Sequence, residues 1–393
     1  MKSFRAFAPV IGLGALAAIT DGRACADPAD SGSELPSPAA IVAQMRLVNG
    51  HFMQEWPDPA KPIVTDRQRP SNIWTRGVYY EGLMALYGLD ADPAEKAYAI
   101  AWGEAHQWGL GGGPVTRSAD NQCCGQTYLE LYALDRQPRR LKDIKTCIDA
   151  MVASDRVIDW WWIDALQMAM PVYAKLGVIT HDPRYFEKMH AIYLATRDGT
   201  GTSPALYNRR DGLWWRDKNF VPPYRDPNGA DCYWSRGNGW VMAAMARVLD
   251  VLPADAPGRD DYVQMLQAMA KAVKGVQRPD GFWNPSLHDA ENFAAKEESG
   301  TALFTYGLAA GIRLGLLPPA EYRPAVARAW HALATESIHP DGFVGFVQGT
   351  GKQPSDSQPI TYDRRPDFDD FGAGCFLLAG SEVAKLAGVP AAK

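Results

Sequence analysis

The 393-residue chain has only six Cys and seven His. No two Cys stand in CxxC spacing and no two His form an HExxH pair, so the usual zinc ligand sets are missing, and nothing in the sequence asks for a metal or another cofactor. Five Cys lie beyond residue 26 (Cys123, Cys124, Cys147, Cys232 and Cys375), an odd and irregular set that does not make a disulfide framework in so long a chain. No segment approaches 18 unbroken apolar residues, which excludes a membrane-spanning helix. Positive charge is nowhere concentrated. A formal net charge of -5 without a Lys/Arg-rich run argues against a nucleic-acid partner. The Gly-rich stretch 109–113 has neither a GxGxxG arrangement nor a Walker Lys, so it is not a phosphate cradle.

What the chain does have is apolar and aromatic residues, with 47% hydrophobic content and 13 Trp. That is ample for a large packed core. At the N-terminus, Lys2 and Arg5 precede an apolar stretch from Ala6 to Ile19, followed by Ala24-Cys25-Ala26, the small-x-small pattern of a cleavage site. Residues 1–26 are therefore expected to be a removed export signal, placing the mature protein in the periplasm or outside the cell; a lipid anchor at Cys25 is the minor alternative. A polar lead over 27–45 and a single domain over 46–390 are expected to follow.

Helical periodicity recurs almost to the end, over 38–54, 76–88, 93–107, 121–134, 138–153, 162–176, 183–197, 238–251, 259–276, 299–314, 320–337 and 371–386. Strands are few and short. Asp211-Gly212-Leu213-Trp214, Asp280-Gly281-Phe282-Trp283 and Asp341-Gly342-Phe343-Val344 form a degenerate repeat, each leaving a helical segment. Twelve helices paired in sequence predict an all-α toroid of six hairpins, an (α/α)6 barrel, because each hairpin must bury its face on its neighbours. An open helical solenoid is the structural alternative.

Three segments carry candidate chemistry. Trp160-Trp161-Trp162-Ile163-Asp164 sets three indoles beside a carboxylate in a predicted first helical turn. The helix dipole favours the anion there and apolar walls favour the neutral acid, an opposition that poises a carboxyl for proton transfer. Tyr233-Trp234-Ser235-Arg236-Gly237-Asn238-Gly239-Trp240 opens the helix near 238, with Asn238 suited to the N-cap. In this segment Arg236 offers a fork for a carboxylate, and Trp234 and Trp240 offer faces for a sugar ring. Asp120, in Arg117-Ser118-Ala119-Asp120-Asn121-Gln122, is either a helix cap or an acceptor for vicinal sugar hydroxyls. Trp74, Tyr79 and Tyr80, at another helix start, supply stacking surface or core.

In order along the chain, Tyr79-Tyr80-Glu81-Gly82-Leu83, Ala119-Asp120-Asn121, Trp161-Trp162-Ile163-Asp164-Ala165-Leu166, Arg236-Gly237-Asn238-Gly239-Trp240 and Glu297-Glu298-Ser299-Gly300-Thr301 resemble the unsaturated uronyl hydrolases of glycoside hydrolase families 88 and 105. The likeness is closer to the unsaturated rhamnogalacturonyl hydrolases of family 105 and runs over about residues 45 to 388. It implies an (α/α)6 barrel acting on oligosaccharides left by polysaccharide lyases, whose non-reducing end is a 4,5-unsaturated uronic acid. It also implies that Asp164 protonates C4 of the enol ether and then accepts a proton as water adds at C5. By the same resemblance Asp120 orients the ring through its hydroxyls, Arg236 meets the uronate carboxylate, and Trp162 and Trp240 contact the ring, with Tyr79 a weaker transfer.

Departures from that pattern bear on substrate choice. Arg216 stands near the point where many rhamnogalacturonyl members carry His, and Glu298 where Thr is usual. The stretch 351–370 is longer than expected and reads as a rim loop. Rival readings are a lyase or an epimerase on the same toroid, an inverting glycosidase using Asp120 with Asp164, and a carbohydrate-binding protein without turnover.

Overall fold

The computed structural model describes residues 34–388 together with Met1; the expected export signal lies outside the described residues, apart from Met1, as do 27–33 and 389–390. Residues 34–388 fall in one compact unit. The first helix, α1 (Pro38–Glu55), starts inside the expected lead. Ser37 caps it by accepting a hydrogen bond from the Ala40 N–H (3.3 Å), and Pro38 fits the first turn because its missing N–H has no intrahelical role there. Ile41, Met45, Val48 and Phe52 form its buried stripe. The folded unit therefore includes the helix from residue 38, not only the chain from 46.

A short antiparallel hairpin, β1 (Ile63–Val64) with β2 (Gln68–Arg69), leads into α2 (Trp74–Asp90), α3 (Pro93–Ala105), α4 (Ala119–Gln122), α5 (Gly125–Leu134), α6 (Pro138–Val152), α7 (Asp164–Thr180) and α8 (Arg184–Asp198). A second hairpin, β3 (Tyr207–Asn208) with β4 (Leu213–Trp214), precedes α9 (Ser235–Val251), α10 (Arg259–Gly275), α11 (Glu298–Arg313), α12 (Pro319–Ala332) and α13 (Asp370–Leu386). Residues 333–337 continue α12 as a π-helical turn.

Helices α2, α5, α7, α9, α11 and α13 each pack on the next, and α13 returns to α2. Their residues are buried on almost every side, as a helix enclosed by others requires. Helices α1, α3, α6, α8, α10 and α12 lie outside this ring, each pairing with an inner neighbour through one stripe. This is the (α/α)6 barrel.

The Asp-Gly repeats tie the outer layer together. Gly212, Gly281 and Gly342 have φ of 69°, 96° and 94°, a region open chiefly to glycine. A Cβ on Gly281 would stand 2.4 Å from the Arg328 carbonyl oxygen of α12, and one on Gly342 would stand 2.4 Å from the Leu47 carbonyl oxygen of α1. Gly212 approaches α10 less closely, a Cβ there standing 3.2 Å from the Ala268 carbonyl oxygen. Each turn thus docks on the next outer helix, and the last of them docks on the first helix of the chain, which closes the toroid.

Two local expectations are corrected. The predicted helix over 121–134 is two helices, because the chain tightens at Cys123-Cys124, where the Gln126 N–H bonds to the Cys123 carbonyl (3.0 Å) three residues back. Asn238 is not an N-cap but lies within α9, where its Oδ1 accepts from the Trp214 N–H (2.8 Å) and its Nδ2 donates to the Trp214 carbonyl (3.0 Å), strapping β4 to the helix.

Candidate active site

The N-terminal ends of inner helices α2, α7 and α9, with the short helix α4 that precedes α5, surround a cleft of about 970 Å³. Its wall includes Trp74, Thr75, Asp120, Asn121, Trp161, Trp162, Asp164, Met168, Arg216 and Trp234, with Arg67 and Arg69 of the first hairpin and Thr350–Lys352 at the rim. Helix N-termini present unpaired N–H groups and the positive end of the helix dipole, so acidic groups are held comfortably at this mouth.

Asp164 is the first residue of α7 and is 8% exposed. Its helix carries Pro171, which has no N–H for the Gln167 carbonyl four residues back; the Gln126 side chain of α5 supplies the missing donor (2.7 Å). The indole run before it is pinned to the segment after β4: the Ile163 N–H bonds to the Arg216 carbonyl (3.0 Å), and Trp162 pairs antiparallel with Asp217. That pairing brings the Arg216 side chain to the carboxylate. Arg216 donates from Nε to Asp164 Oδ2 (3.2 Å) and from Nη1 to Asp217 Oδ2 (2.7 Å). Asp217 is buried, and its second oxygen accepts from the Asn219 N–H (2.8 Å).

Asp120 sits in the first turn of α4, and Ser118, not Asp120, is the N-cap residue. Among the described residues no hydrogen-bond donor engages its carboxyl. Burial pushes its pKa up to about 7, the negative charge of Asp164 adds to the effect, and the Arg216 guanidinium opposes it. Two carboxyls thus share the cleft in different surroundings, one tied to a guanidinium and one left unpaired by the protein.

The three indoles part ways. Trp160 is core, packed edge-on against Tyr173 (5.6 Å between ring centres). Trp161 is 55% exposed, with the Arg216 guanidinium 5.9 Å from its ring centre. Trp162 is buried apart from the edge it shows to the cleft. Trp234 also borders the cleft, its Nε1 donating to Gln348 Oε1 (2.8 Å).

Three expected ligand contacts are not on the cleft. Arg236 is 1% exposed, and its Nη1 and Nη2 donate to the Gln348 (2.5 Å) and Gly349 (2.8 Å) carbonyls. Its guanidinium lies between the Trp234 and Phe371 rings, 4.5 and 4.9 Å from their centres, with Glu297 at 4.0 Å. It is spent on anchoring the loop that carries Thr350–Lys352 to the rim. Trp240 is fully buried and meets the cleft only through Trp74, which it touches edge-on (6.3 Å). Tyr79 points outward between α2 and α1, stacked on Phe52 (3.6 Å) and donating to Asn49 Oδ1 (2.7 Å). In each case the local sequence offers an aromatic or a cation at a helix start, and helix rotation decides which way it faces.

The sequence reading gave no site role to Arg216 or Trp161, although it named both, and passed over the basic hairpin residues Arg67 and Arg69. Arg216 had a signal, its substitution for an expected His; the hairpin had none, since its approach to the cleft depends on packing far from its own residues.

The model of glycosyl hydrolase family 88 matches residues 44–387. The chain belongs to that family. As a family 88 member it is a glycoside hydrolase. It is 34% identical over 333 residues to an unsaturated 3S-rhamnoglycuronyl hydrolase of Formosa agariphila, covering 80% of this chain and 84% of the relative. A solved family 88 hydrolase from Bacteroides vulgatus superposes with a TM-score of 0.81 at 33% identity, over 89% of this chain and all of that one. A solved polysaccharide lyase superposes with a TM-score of 0.79 at 32% identity, over 88% of this chain and 97% of that one.

Proposed function

We propose that this family 88 enzyme removes a 4,5-unsaturated uronic acid from the non-reducing end of lyase-generated oligosaccharides by hydrating the C4–C5 enol ether. The observation that carries the reading is the pairing of Asp164 and Asp120 in one indole-walled cleft, the first tied to the Arg216 guanidinium and the second without a protein partner among the described residues. Asp164 gives a proton to C4, which places positive character on C5 and the ring oxygen. The same carboxylate then takes a proton from the water that adds at C5. The hemiketal so formed collapses, and the aglycone leaves with a proton. Asp120 holds the ring through its hydroxyls, and Trp161, Trp162 and Trp234 offer the faces on which a pyranose rests.

The name of the Formosa relative joins a 3S-rhamno unit to a glycuronyl group, which favours a rhamnose-linked uronate; a pectin-type parent polysaccharide is what the sequence resemblance implies. The proton that Asp120 retains to about pH 7 favours one variation, in which Asp120 is the donor and Asp164 the acceptor. We also place the mature enzyme in the periplasm or outside the cell, on the strength of its first 26 residues.

The deciding experiment follows the ultraviolet absorbance of the conjugated enol ether in unsaturated galacturonyl-rhamnose and unsaturated glucuronyl-rhamnose. The absorbance should fall with wild type and stay constant with Asp164→Asn, for which a loss of roughly 100-fold or more is expected. A rise in absorbance on intact polysaccharide would identify a lyase instead. If Asp120 only holds the ring, Asp120→Asn raises KM more than it lowers kcat; if it is the donor, it abolishes turnover as fully as Asp164→Asn.

A further inference from the structure

With Arg236 withdrawn into the core, the cleft needs another receiver for a uronate carboxylate. The cations on its wall are Arg67, Arg69, Lys352 and Arg216. Arg67 and Lys352 are exposed at the rim, and Arg69 is paired with Asp66 (2.6 Å). Arg216 alone among these four contacts Asp164.

That contact carries chemical weight. In a 4,5-unsaturated uronate the carboxylate carbon is bonded to C5, and C5 is double-bonded to C4. A side chain that exchanges a proton with C4 and a side chain that holds the carboxylate therefore reach atoms only two bonds apart, and must be near neighbours on the cleft wall. Arg216 and Asp164 meet that condition at 3.2 Å.

The donor accounting agrees. A guanidinium has five N–H groups. Arg216 spends Nε on Asp164 and Nη1 on Asp217, and among the described residues Nη2 has no acceptor. Its side chain is 14% exposed, and it lines the cleft. The group is also held in place before any ligand arrives. Asp217 fixes one end, the Trp161 face lies alongside at 5.9 Å, and the Arg216 carbonyl is bonded to Ile163. A fork held this way loses little freedom on binding. Its charge also reduces the repulsion that Asp164 and Asp217 would exert on an incoming anion.

We propose that Arg216 is the residue that reads the substrate's carboxylate, receiving it on its Nη2 side while its Nε remains on Asp164. This rests on the reading of the site as one for unsaturated uronyl ends. It makes Arg216 the determinant of acid over neutral terminal sugars.

The test compares an unsaturated uronyl disaccharide with its methyl ester, using wild type, Arg216→Ala and Arg216→Lys. Wild type should favour the acid in kcat/KM by roughly 10- to 100-fold, the range for a charge-assisted hydrogen-bond pair. Arg216→Ala should bring that ratio close to one, and Arg216→Lys should leave it in between. An equal loss on acid and ester would show that Arg216 acts only through Asp164, and would overturn the proposal.

A second arm measures binding, by calorimetry, of a saturated β-glucuronoside and its methyl ester, neither of which has an enol ether to hydrate. Arg216→Lys, which keeps a charge beside buried Asp217, should fold as wild type does and bind the acid more weakly, with the ester unchanged. If it binds both as wild type does, the proposal fails. Wild-type inactivity on the unsaturated substrates would instead sink the hydration reading, and the binding arm would still decide the role of Arg216.

Discussion

The proton on Asp120 makes a prediction that a single isosteric substitution isolates. Its pKa rises from 3.8 to about 7 in the folded protein. Below pH 4 the residue is protonated in both the folded and unfolded states and contributes nothing to the difference. Between pH 4 and 7 the unfolded chain releases this proton while the folded chain keeps it, so the folded state loses stability as pH rises, and above 7 the loss is complete. A shift of about three units at 1.36 kcal/mol each gives about 4 kcal/mol, and water at the open side of the cleft reduces this toward about 2 kcal/mol. Asn has the same shape and no charge. Urea unfolding of wild type and Asp120→Asn, measured from pH 3 to 8.5, should therefore show near-equal stability at the acid end. At the alkaline end the variant should be more stable by about 2–4 kcal/mol. Taking the difference between the two proteins cancels the other titrating groups. A gap that stays flat across this range, or that opens in favour of wild type, would refute the account of Asp120 as a carboxyl neutralised by burial and by Asp164.

Two further outcomes test the architecture. Arg236→Ala strips two loop carbonyls of their donors and leaves buried Glu297 without its guanidinium neighbour, at a cost of about 3 kcal/mol or more. It should lower Tm by several degrees; an unchanged Tm with a selective rise in KM would restore this residue to the substrate. Gly281→Ala should cost about 3 kcal/mol, because φ of 96° is strained for alanine and the new methyl meets the Arg328 carbonyl at 2.4 Å. Gly201→Ala, with nothing within 4 Å, is the control and should leave the unfolding curve where it is.

Most of the barrel was legible in advance because helix periodicity is local. Eleven of the twelve expected helices begin and end within a few residues of the observed ones. The twelfth broke at Cys123-Cys124, where apolar spacing continues across a change of backbone direction. The Asp-Gly turns were also visible, although their role in docking each hairpin on the next outer helix depends on a neighbour some 50 residues later, or, for Gly342, on the start of the chain. Asp164 and Asp120 both stand on the cleft; Asp164 left a mark in the sequence as a first-turn carboxyl beside three indoles, whereas Asp120 read locally as a cap or an acceptor and was singled out by the family resemblance.

The two arginines show where that legibility ends. Arg216 and Arg236 each follow a tryptophan by one or two residues and look alike in the sequence. Packing turns Arg236 toward two backbone carbonyls and Arg216 toward two carboxylates, one of them on the cleft. The sequence by itself determined the helices, their pairing and the acidic residues at their starts, since these follow from interactions within a few turns of chain. The tertiary structure alone decided which cation and which indoles reach the cleft, and that Tyr79 does not, because a side chain's surroundings are set by helix rotation and by loops distant in sequence.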